Sequence, residues 1–377
     1  MSARCGGAPS ILIACASEWL APARLPRVLR RAGARVVALS PRAWPLAQTR
    51  FVDEVIDAPP AVDAFVEAMR DHLGRTRYDW ILIVDDPLLA ALAARRAEPW
   101  LDGLLTIATA HPWSRALASK AAFCELAAAA GLPVPASRSC STIDDARAAA
   151  DAIGLPIMLK TSGGFAGLGV KLVRERRELD ASFAALVDGA PVVAQRFVEG
   201  PIGNTVVLFD RGLPICWMSA FKVRTWPGPF GPSSARQFMS HADVEPIIRT
   251  VGARSGYHGF CAVDWVLDRE GRLQLIELNA RPVPAIHMGS LAGVDFSRAV
   301  RELLAGTPRV QAPRPRARRV VPMFPEDVWR AASEDSLSLA AWLPWPGRFT
   351  DVPWHDPPLL LHHLHRFAQA ARHARQR

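Results

Sequence analysis

The stretch LPIMLKTSGGFAGLGVKLV (residues 155–173) decides the fold, because two strand-like runs enclose a cluster of glycines. LPIMLK and GVKLV are short apolar runs of strand length, and the residues between them form the one dense glycine cluster of the sequence. This order predicts a hairpin whose loop brings backbone N–H groups close to an anion. The phosphate loop GxxxxGKS or GxxxxGKT, in which the glycines precede a helix, is absent.

Lysine is rare in this chain, and two of its lysines flank the glycine cluster. Of 45 basic residues only four are lysines, namely Lys120, Lys160, Lys171 and Lys222. A lysine that persists among so many arginines indicates a position that requires a compact ammonium group. A glycine cluster alone is often no more than a turn, but the flanking lysines favour phosphate contact.

A second hairpin is predicted in GFCAVDWVLDREGRLQLIELNARP (residues 259–282), with its turn at DREG. If Arg269 and Glu270 form a two-residue loop, Asp264 pairs across from Leu275. Side chains alternate along a strand, so Glu277 and Asn279 then share a face.

The two faces of this hairpin differ in polarity. One carries apolar residues, namely Val263, Trp265, Leu267, Ile276 and Leu278. The other brings together Asp264, Glu277 and Asn279, whose burial is costly unless they bind something. Carboxylate and amide oxygens suit Mg²⁺, so the sequence predicts a metal site here.

The first hundred residues alternate strand-like and helical patterns. Strands are predicted at 11–15, 35–40 and 80–84, and helices near 20–32 and 61–73, which is typical of a parallel sheet with crossover helices. No glycine follows the first strand, so hydride transfer to a dinucleotide is disfavoured. Asp85 and Asp86 follow the third strand, where either a helix N-cap or a substrate contact is expected.

Five elements, taken in order, resemble the ATP-grasp superfamily. They are Lys120 before an alanine-rich helix, the PIMLK strand with Lys160, the loop SGGFAGLGV, the segment AQRFVEG (194–200) and the DW…IELNARP hairpin, which together span roughly residues 112–310. The resemblance implies a fold of α/β and α+β type, in which an N-terminal Rossmann-like parallel sheet domain precedes a two-lobed ATP-grasp fold. We expect the Rossmann-like domain at 1–112 and the ATP-grasp domain at 113–308. Its lid lobe would span 113–194 and its metal-binding lobe 195–308.

The resemblance also implies roles for individual residues. The nucleotide-binding residues implied are Lys120, Lys160, Ser162, Gly163, Gly164, Gly167, Gly169, Gln195, Arg196 and Val198. Lys120 and Lys160 would contact the phosphates, and the segment from Gln195 to Val198 would hold adenine through its backbone. The implied magnesium ligands are Asp264, Glu277 and Asn279. No acid follows Glu199 in PIGNTVV, which leaves ribose recognition open.

Two positions are expected to meet the substrate. The resemblance places Arg281 where it would bind a substrate carboxylate or stabilise an acyl phosphate, with Lys160 as its catalytic partner. The segment FKVRTWPGPFGPSS (221–234) is predicted to be a flexible loop over the substrate, with Lys222 and Arg224 available to an anion.

The implied activity is ATP-dependent ligation of a small carboxylate to an amine, with ADP and phosphate released. ATP and Mg²⁺ are the implied cofactors, with Mn²⁺ as an alternative ion. Two other functions stay open: phosphorylation of bicarbonate, as in carbamoyl-phosphate synthases or carboxylases, and a non-catalytic ATP-binding module. Dimers are common in the family, so a homodimer is also open.

Composition argues against several other classes of protein. The chain has 377 residues, a net charge of +9 and a pI near 9.8, yet its arginines are spread along the whole length, so no nucleic-acid partner is expected. The six cysteines form no CxxC pair, which predicts reduced thiols in a cytoplasmic protein. No apolar run is long enough to predict a membrane span.

The last part of the chain, 309–377, changes in composition. RVQAPRPRARR (309–319) is predicted to be an exposed linker, and the Trp/Pro-rich stretch 322–361 to dock on the preceding domains. His362 and His365 lie one helical turn apart without an accompanying acid or cysteine, so we expect a partly exposed helix rather than a metal site.

Overall fold

The computed structural model describes residues 7–162, 169–187, 189–314, 320–334, 347 and 349–375, and all structural statements refer to these residues. The α-helices are α1 (Leu25–Arg31), α2 (Pro45–Gln48), α3 (Val62–Arg75), α4 (Asp86–Ala94), α5 (Lys120–Ala129), α6 (Ile143–Ile153), α7 (Leu179–Ala184), α8 (Val244–Ser255), α9 (Phe296–Leu304), α10 (Glu326–Glu334) and α11 (Pro357–Arg375). Short 3₁₀ segments occur at Ala21–Arg24, Pro99–Leu101, Pro112–Leu117, Arg176–Glu178 and Ile286–Ala292.

The strands form three sheets. They are β1 (Ser10–Ala14), β2 (Arg35–Leu39), β3 (Glu54–Ile56), β4 (Trp80–Ile83), β5 (Ser137–Cys140), β6 (Ile157–Thr161), β7 (Val170–Val173), β8 (Val192–Arg196), β9 (Ile202–Asp210), β10 (Leu213–Thr225), β11 (Ser233–Met239), β12 (Gly259–Leu267), β13 (Leu273–Asn279) and β14 (Val320–Pro322). The sheet orders are β3-β2-β1-β4, β5-β8-β6-β7 and β13-β12-β9-β10-β11-β14.

The first sheet is parallel in all three of its pairings. Its strands are apolar on both faces, since β1 and β2 are covered by helices on each side. The predicted α/β architecture is therefore confirmed, and the carboxyl ends of β1 and β4 lie side by side.

The second sheet, which we call the lid sheet, contains the hairpin that was predicted around the glycine cluster. β6 and β7 pair antiparallel, with Lys160 opposite Val170. The adjoining helix α6 is capped by Thr142, whose side chain accepts from Asp145 N–H in a capping box. One apolar core lies between the lid sheet and its helices. The other two sheets share two larger cores.

The six-stranded sheet is antiparallel and presents two different faces. One face, with Trp265 and Val263, packs on α5 and α8. The other face is apolar at Val206 and Phe260, where it packs on α9. Farther along β9 and β12 that second face becomes polar, because Asn204 and Asp264 replace the apolar residues there.

The predicted pairing of Asp264 with Leu275 is wrong. The turn is longer than two residues, with Leu267 opposite Leu273, and a bulge follows, so that Trp265 faces Leu275 while Asp264 faces Glu277. Ile276 is the extra residue of the bulge. The bulge places Leu275 on the core side and turns Glu277 to the side of Asp264.

The described part of the 309–319 segment is not a fully exposed linker. Gln311 is buried and forms a parallel bridge with Cys216, and its N–H donates to Ile215 O at 2.7 Å. Gln311 Oε1 also accepts from Asp295 N–H at the start of α9. These bonds hold residues 309–314 against the six-stranded sheet.

The described part of the C-terminal segment does dock on the preceding structure, as predicted. Arg24 Nη2 donates to Phe324 O and Asp351 O at 3.0 and 2.7 Å, and Thr49 Oγ1 donates to Asp356 Oδ2. Trp329 stacks on Phe367 with ring centroids 4.3 Å apart. None of the described helices has the length and apolar character that crossing a membrane requires.

The docked C-terminal helix should make the fold sensitive to acid through His363. The side chain is 2% exposed, and burial, with Arg24 nearby, lowers its pKa from 6.5 to about 3. Between these values the unfolded chain binds a proton that the folded chain does not, so the free energy of unfolding falls as the pH drops.

Replacing His363 by glutamine should therefore reduce the loss of stability between pH 6.5 and pH 4 by about 3 kcal/mol. Urea unfolding at both pH values measures this difference. The exposed His365→Gln variant is the control and should behave as wild type. Equal acid sensitivity of His363→Gln and wild type would refute the prediction.

Candidate active site

Asp264, Glu277 and Asn279 lie together on the polar face of the six-stranded sheet. Asp264 and Glu277 are directly opposite each other, and Asn279 Nδ2 donates to Asp264 Oδ1 at 3.3 Å. Asn204 of β9 is the other cross-strand neighbour of Asp264. Two carboxylates and two amide oxygens thus converge in a small area.

Two of the four lysines pair with these carboxylates. Lys222 Nζ lies 2.6 Å from Asp264 Oδ2, and Lys120 Nζ lies 3.3 Å from Glu277 Oε1. The lysine side chains are 16% and 11% exposed, so both pairs are shielded from bulk water. The two ammonium groups therefore neutralise the carboxylates in this structure, and a metal ion bound there would take their place.

Lys120 stands at the start of α5 and links the lid sheet to the predicted metal ligands. Ser119 is the N-cap of that helix and accepts from Ala122 N–H. The Ser119 and Ser162 hydroxyl oxygens are 3.2 Å apart, and Lys120 N–H donates to Ser162 O at 3.4 Å. Ser162, at the edge of the glycine loop, is thus held beside Lys120.

Lys160 points into the interior of the lid sheet. Its Nζ donates to Gln195 Oε1 at 2.7 Å, and Gln195 Nε2 donates to Ser137 Oγ at 3.0 Å. Burial lowers the pKa of Lys160, while Glu277 opposes that shift. Its hydrogen bond to Gln195 is to a neutral amide oxygen, so a phosphate oxygen would offer the buried ammonium a stronger, charged acceptor.

The glycines of the loop are only partly covered by the structure. Gly163, Gly164 and Gly167 lie outside the described residues. Gly169 accepts from Thr161 N–H at 2.8 Å, and a Cβ at Gly169 would lie 2.0 Å from Thr161 Oγ1. The base of the hairpin therefore admits no side chain at Gly169.

The predicted adenine segment begins in the last two residues of β8, the inner strand beside β6. The Gln195 side chain is 1% exposed and bound to Lys160, so it cannot reach a ligand at the surface. Arg196 has an exposed side chain, while its N–H donates to Ala136 O at 2.8 Å. Val198 lies two residues beyond the strand and is half-buried.

Arg281 lies at the junction between the six-stranded sheet and the N-terminal sheet. Its Nε and Nη2 donate to the two carboxylate oxygens of Asp86 at 2.6 and 2.5 Å, and its guanidinium lies 4.5 Å from the Trp19 ring centroid. Asp85 is the N-cap of α4 and accepts from Leu88 N–H. Asp85 and Asp86 were predicted to be either a helix N-cap or a substrate contact, and Asp85 is the N-cap.

The 221–234 segment is not a free loop with available cations. Half of it belongs to β10 and β11, and Arg224 forms a two-point ion pair with the fully buried Asp327 of α10. Ser234 Oγ donates to the same carboxylate at 3.0 Å. Lys222 faces Asp264 instead of an open cleft.

Arg236 is a site residue that sequence analysis missed. It is 5% exposed, lies opposite Lys222 and donates from Nη1 to Asn204 Oδ1 at 2.7 Å. Its Nε lies 3.1 Å from Met323 Sδ in the C-terminal segment. The sequence signal was that Arg236 and Phe238 are two residues apart on one strand. This pattern is common to many arginines on strands, so it did not mark Arg236 as part of a site.

The donor set fits a hard divalent cation with incomplete protein ligation. Two carboxylates and amide oxygens are available, and Mg²⁺ fills its remaining positions with water and phosphate oxygens. In the described part of the chain no group of three or more His, Cys, Asp or Glu residues is arranged for metal binding. The set is therefore unlike a zinc site.

Comparisons with known proteins agree with this fold. The family described as carbamoyl-phosphate synthase L chain, ATP binding domain, matches residues 119–286. D-alanine–D-alanine ligase of Stutzerimonas stutzeri is 27% identical over 194 residues, which are 46% of this chain and 60% of that relative. Phosphoribosylamine–glycine ligase of Phenylobacterium zucineum is 30% identical over 178 residues, 40% of this chain and 41% of that relative.

A solved structure gives the same fold. N5-carboxyaminoimidazole synthetase from Staphylococcus aureus aligns with a TM-score of 0.65 and 15% identity, over 86% of this chain and 85% of that one. Together with the matched ATP binding domain, this fold supports the resemblance to the ATP-grasp superfamily. The chain spans less than two thirds of the length of the two curated ligases named above.

Proposed function

We propose that the protein is a magnesium-dependent ligase that uses ATP to join a small carboxylate to an amine, releasing ADP and phosphate. The observation that carries this proposal is the convergence of Lys120 and Lys222 on Glu277 and Asp264, beside the lid sheet that holds Lys160. Such a site can hold a polyphosphate and a cation together. Two similar proteins, D-alanine–D-alanine ligase and phosphoribosylamine–glycine ligase, are ligases by name.

The lid sheet would hold the nucleotide. Lys120 and Lys160 would donate to its phosphates, together with Ser162 and the backbone N–H groups of Gly163, Gly164, Gly167 and Gly169. Adenine would bind the backbone of Gln195, Arg196 and Val198, since the Gln195 side chain is engaged internally. Transferring Lys160 from a neutral amide to phosphate would give its ammonium a charged partner.

Asp264, Glu277 and Asn279 would hold Mg²⁺, with Mn²⁺ as an alternative. When bound, the ion would neutralise phosphate charge and polarise the transferred phosphoryl group. Lys120 and Lys222 would then be released from the two carboxylates. Because both ammonium groups already face this site, they are placed to contact the phosphates or the substrate anion.

No protein nucleophile is needed for the reaction. A substrate carboxylate oxygen attacks the γ-phosphorus of ATP, the bond to ADP breaks, and an acyl phosphate results. The amine attacks the acyl carbon, phosphate leaves and the amine loses a proton. Burial raises the pKa of the Cys15 and Cys124 thiols, so neither is suited to nucleophilic attack.

Arg281 would bind the substrate carboxylate or stabilise the acyl phosphate. Arg281 donates two hydrogen bonds to the Asp86 carboxylate, so its guanidinium is oriented in a way that suits a carboxylate. A substrate acid would therefore exchange with Asp86, while the Trp19 ring keeps the guanidinium plane in place.

Bicarbonate as the phosphoryl acceptor is the second candidate. The observation in its favour is the match of residues 119–286 to the carbamoyl-phosphate synthase ATP binding domain. A test that includes bicarbonate among the acids distinguishes the two reactions by the mass of the product.

ADP release and new product masses should be followed together, with MgATP and pooled acids, amines and bicarbonate. Lys160→Ala should lower ADP formation by about 10²–10³-fold, since it removes a preorganised donor to the phosphates. Lys171→Ala is the matched control, because Lys171 is exposed on β7 and pairs with Leu159, on the face opposite to Lys160.

A condensed product that requires wild-type Lys160 would support the ligase. ATP binding without ADP formation in any pool would instead favour the non-catalytic module. ADP formation that is equal in Lys160→Ala and Lys171→Ala would contradict the assigned role of Lys160.

A further inference from the structure

A small cavity lies where the C-terminal segment meets the N-terminal sheet and the six-stranded sheet. Its polar lining comes from Arg24, His287, Glu326, Asp351 and His363. It also contains Pro284, three residues after Arg281, and Leu20, the residue after Trp19. The lining thus includes residues that are close in sequence to Arg281 and to Trp19, whose ring contacts the Arg281 guanidinium.

Some of these polar groups are already satisfied. Arg24 donates to two backbone carbonyl oxygens, Phe324 O and Asp351 O. Asp351 accepts from His287 Nε2 at 2.5 Å and from Phe324 N–H at 2.9 Å. Arg24 and Asp351 therefore offer little to a ligand and instead shape the wall of the cavity.

Three other groups retain unused acceptors. His287 donates from Nε2 to Asp351, so in the neutral ring its Nδ1 is an acceptor, and this atom has no partner among the described residues. Both ring nitrogens of His363 are likewise buried without a partner there, and one of them is an acceptor in the neutral ring. Glu326 adds a carboxylate.

The charge of the cavity lining also favours a cationic ligand. Among the lining residues Arg24 and Asp351 cancel, which leaves the Glu326 carboxylate, and Arg236 lies outside the lining in contact with Met323. Burial raises the pKa of Glu326 to about 7, so an ionised carboxylate is costly there without a cation. A primary ammonium group has one positive charge and three N–H donors, which match one carboxylate and two ring nitrogens.

We infer that this cavity is a subsite for the primary ammonium group of the amine substrate, held by Glu326, His287 and His363. The inference rests on the proposed ligase function, because it assigns the second substrate of that reaction. Arg236 connects the two places: it contacts Met323, which lines the cavity, and Asn204, which adjoins Asp264. The C-terminal segment would thus select the amine.

The test uses methylammonium chloride as the probe and the full-length protein labelled with ¹⁵N-histidine. NMR signals of two histidine rings are expected to shift saturably as methylammonium is added. Glu326→Gln should weaken the apparent affinity by at least about tenfold, since it removes a charge-assisted hydrogen bond. Glu245→Gln, an exposed carboxylate on α8, is the matched control and should leave the affinity unchanged.

Potassium chloride separates an ammonium subsite from a general cation site in the wild-type protein. K⁺ has the same charge but no N–H donors, so it should not displace methylammonium. Equal competition by K⁺, or the absence of any saturable histidine shift, would overturn the inference even if Glu326→Gln failed to fold. None of these readouts involves ATP, so a failure here is distinct from a failure of the proposed ligase activity.

Discussion

Replacement of Glu277 by glutamine is expected to lower the rate of ADP formation by about 10³-fold, because a metal ion supplies several kcal/mol of charge stabilisation. Glu277 faces Asp264 across the hairpin and is paired with Lys120. Glutamine keeps the size of the side chain but removes the charge that would hold the cation. The rate of ADP release at saturating MgATP measures the effect.

The control for this variant is Glu245→Gln. Glu245 has an exposed side chain on α8 and pairs with Arg249 at the surface, so its replacement should leave the rate within about twofold. Circular dichroism should show that both variants are folded. If Glu277→Gln retained the wild-type rate, the assignment of Glu277 to the metal site would be wrong.

Replacement of Asp327 by alanine is expected to reduce the free energy of unfolding by about 3–5 kcal/mol. Asp327 is 0% exposed and accepts hydrogen bonds from Arg224, Ser234 and Arg330. Removal of the carboxylate leaves partly buried guanidinium groups without their anion, and it detaches α10 from β10 and β11. Urea denaturation measures the loss.

Asp144→Ala is the matched control for stability. Its side chain is 84% exposed and pairs with Arg147 on the surface of α6, so it should cost less than about 1 kcal/mol. Asp327→Asn should fall between the two, since an amide oxygen can still accept from Ser234. A loss in Asp327→Ala no greater than in Asp144→Ala would show that the buried pair contributes nothing.

Local patterns were sufficient to predict most of the fold. The two strand-like runs within 155–173 form the antiparallel pair β6–β7, and the alternating pattern of the first hundred residues forms the parallel sheet. Both depend on the period of apolar residues and on turn residues, which are local properties of a sequence. The bulge at Ile276 was not predictable in this way, because counting by two assumes an unbroken ladder.

The partners of the site residues were the harder problem. Arg281 and Asp86 are 195 residues apart, and Arg224 and Asp327 are 103 apart. Both arginines were predicted to meet an anion, and each does so inside the protein. The sequence was therefore sufficient to predict that these arginines bind an anion. Whether that anion is a substrate or an acidic residue of the protein depends on how distant segments pack.

The bulge at Ile276 has a practical consequence for engineering. It lies between the DREG turn and Glu277, and beyond it Glu277 and Asn279 pair with Asp264 and Ala262 of β12. Arg269 and Glu270 are exposed at the tip. A peptide tag or a small domain can be inserted between Arg269 and Glu270. The pairing of β12 with β13 beyond the tip should then keep Glu277 and Asn279 in position.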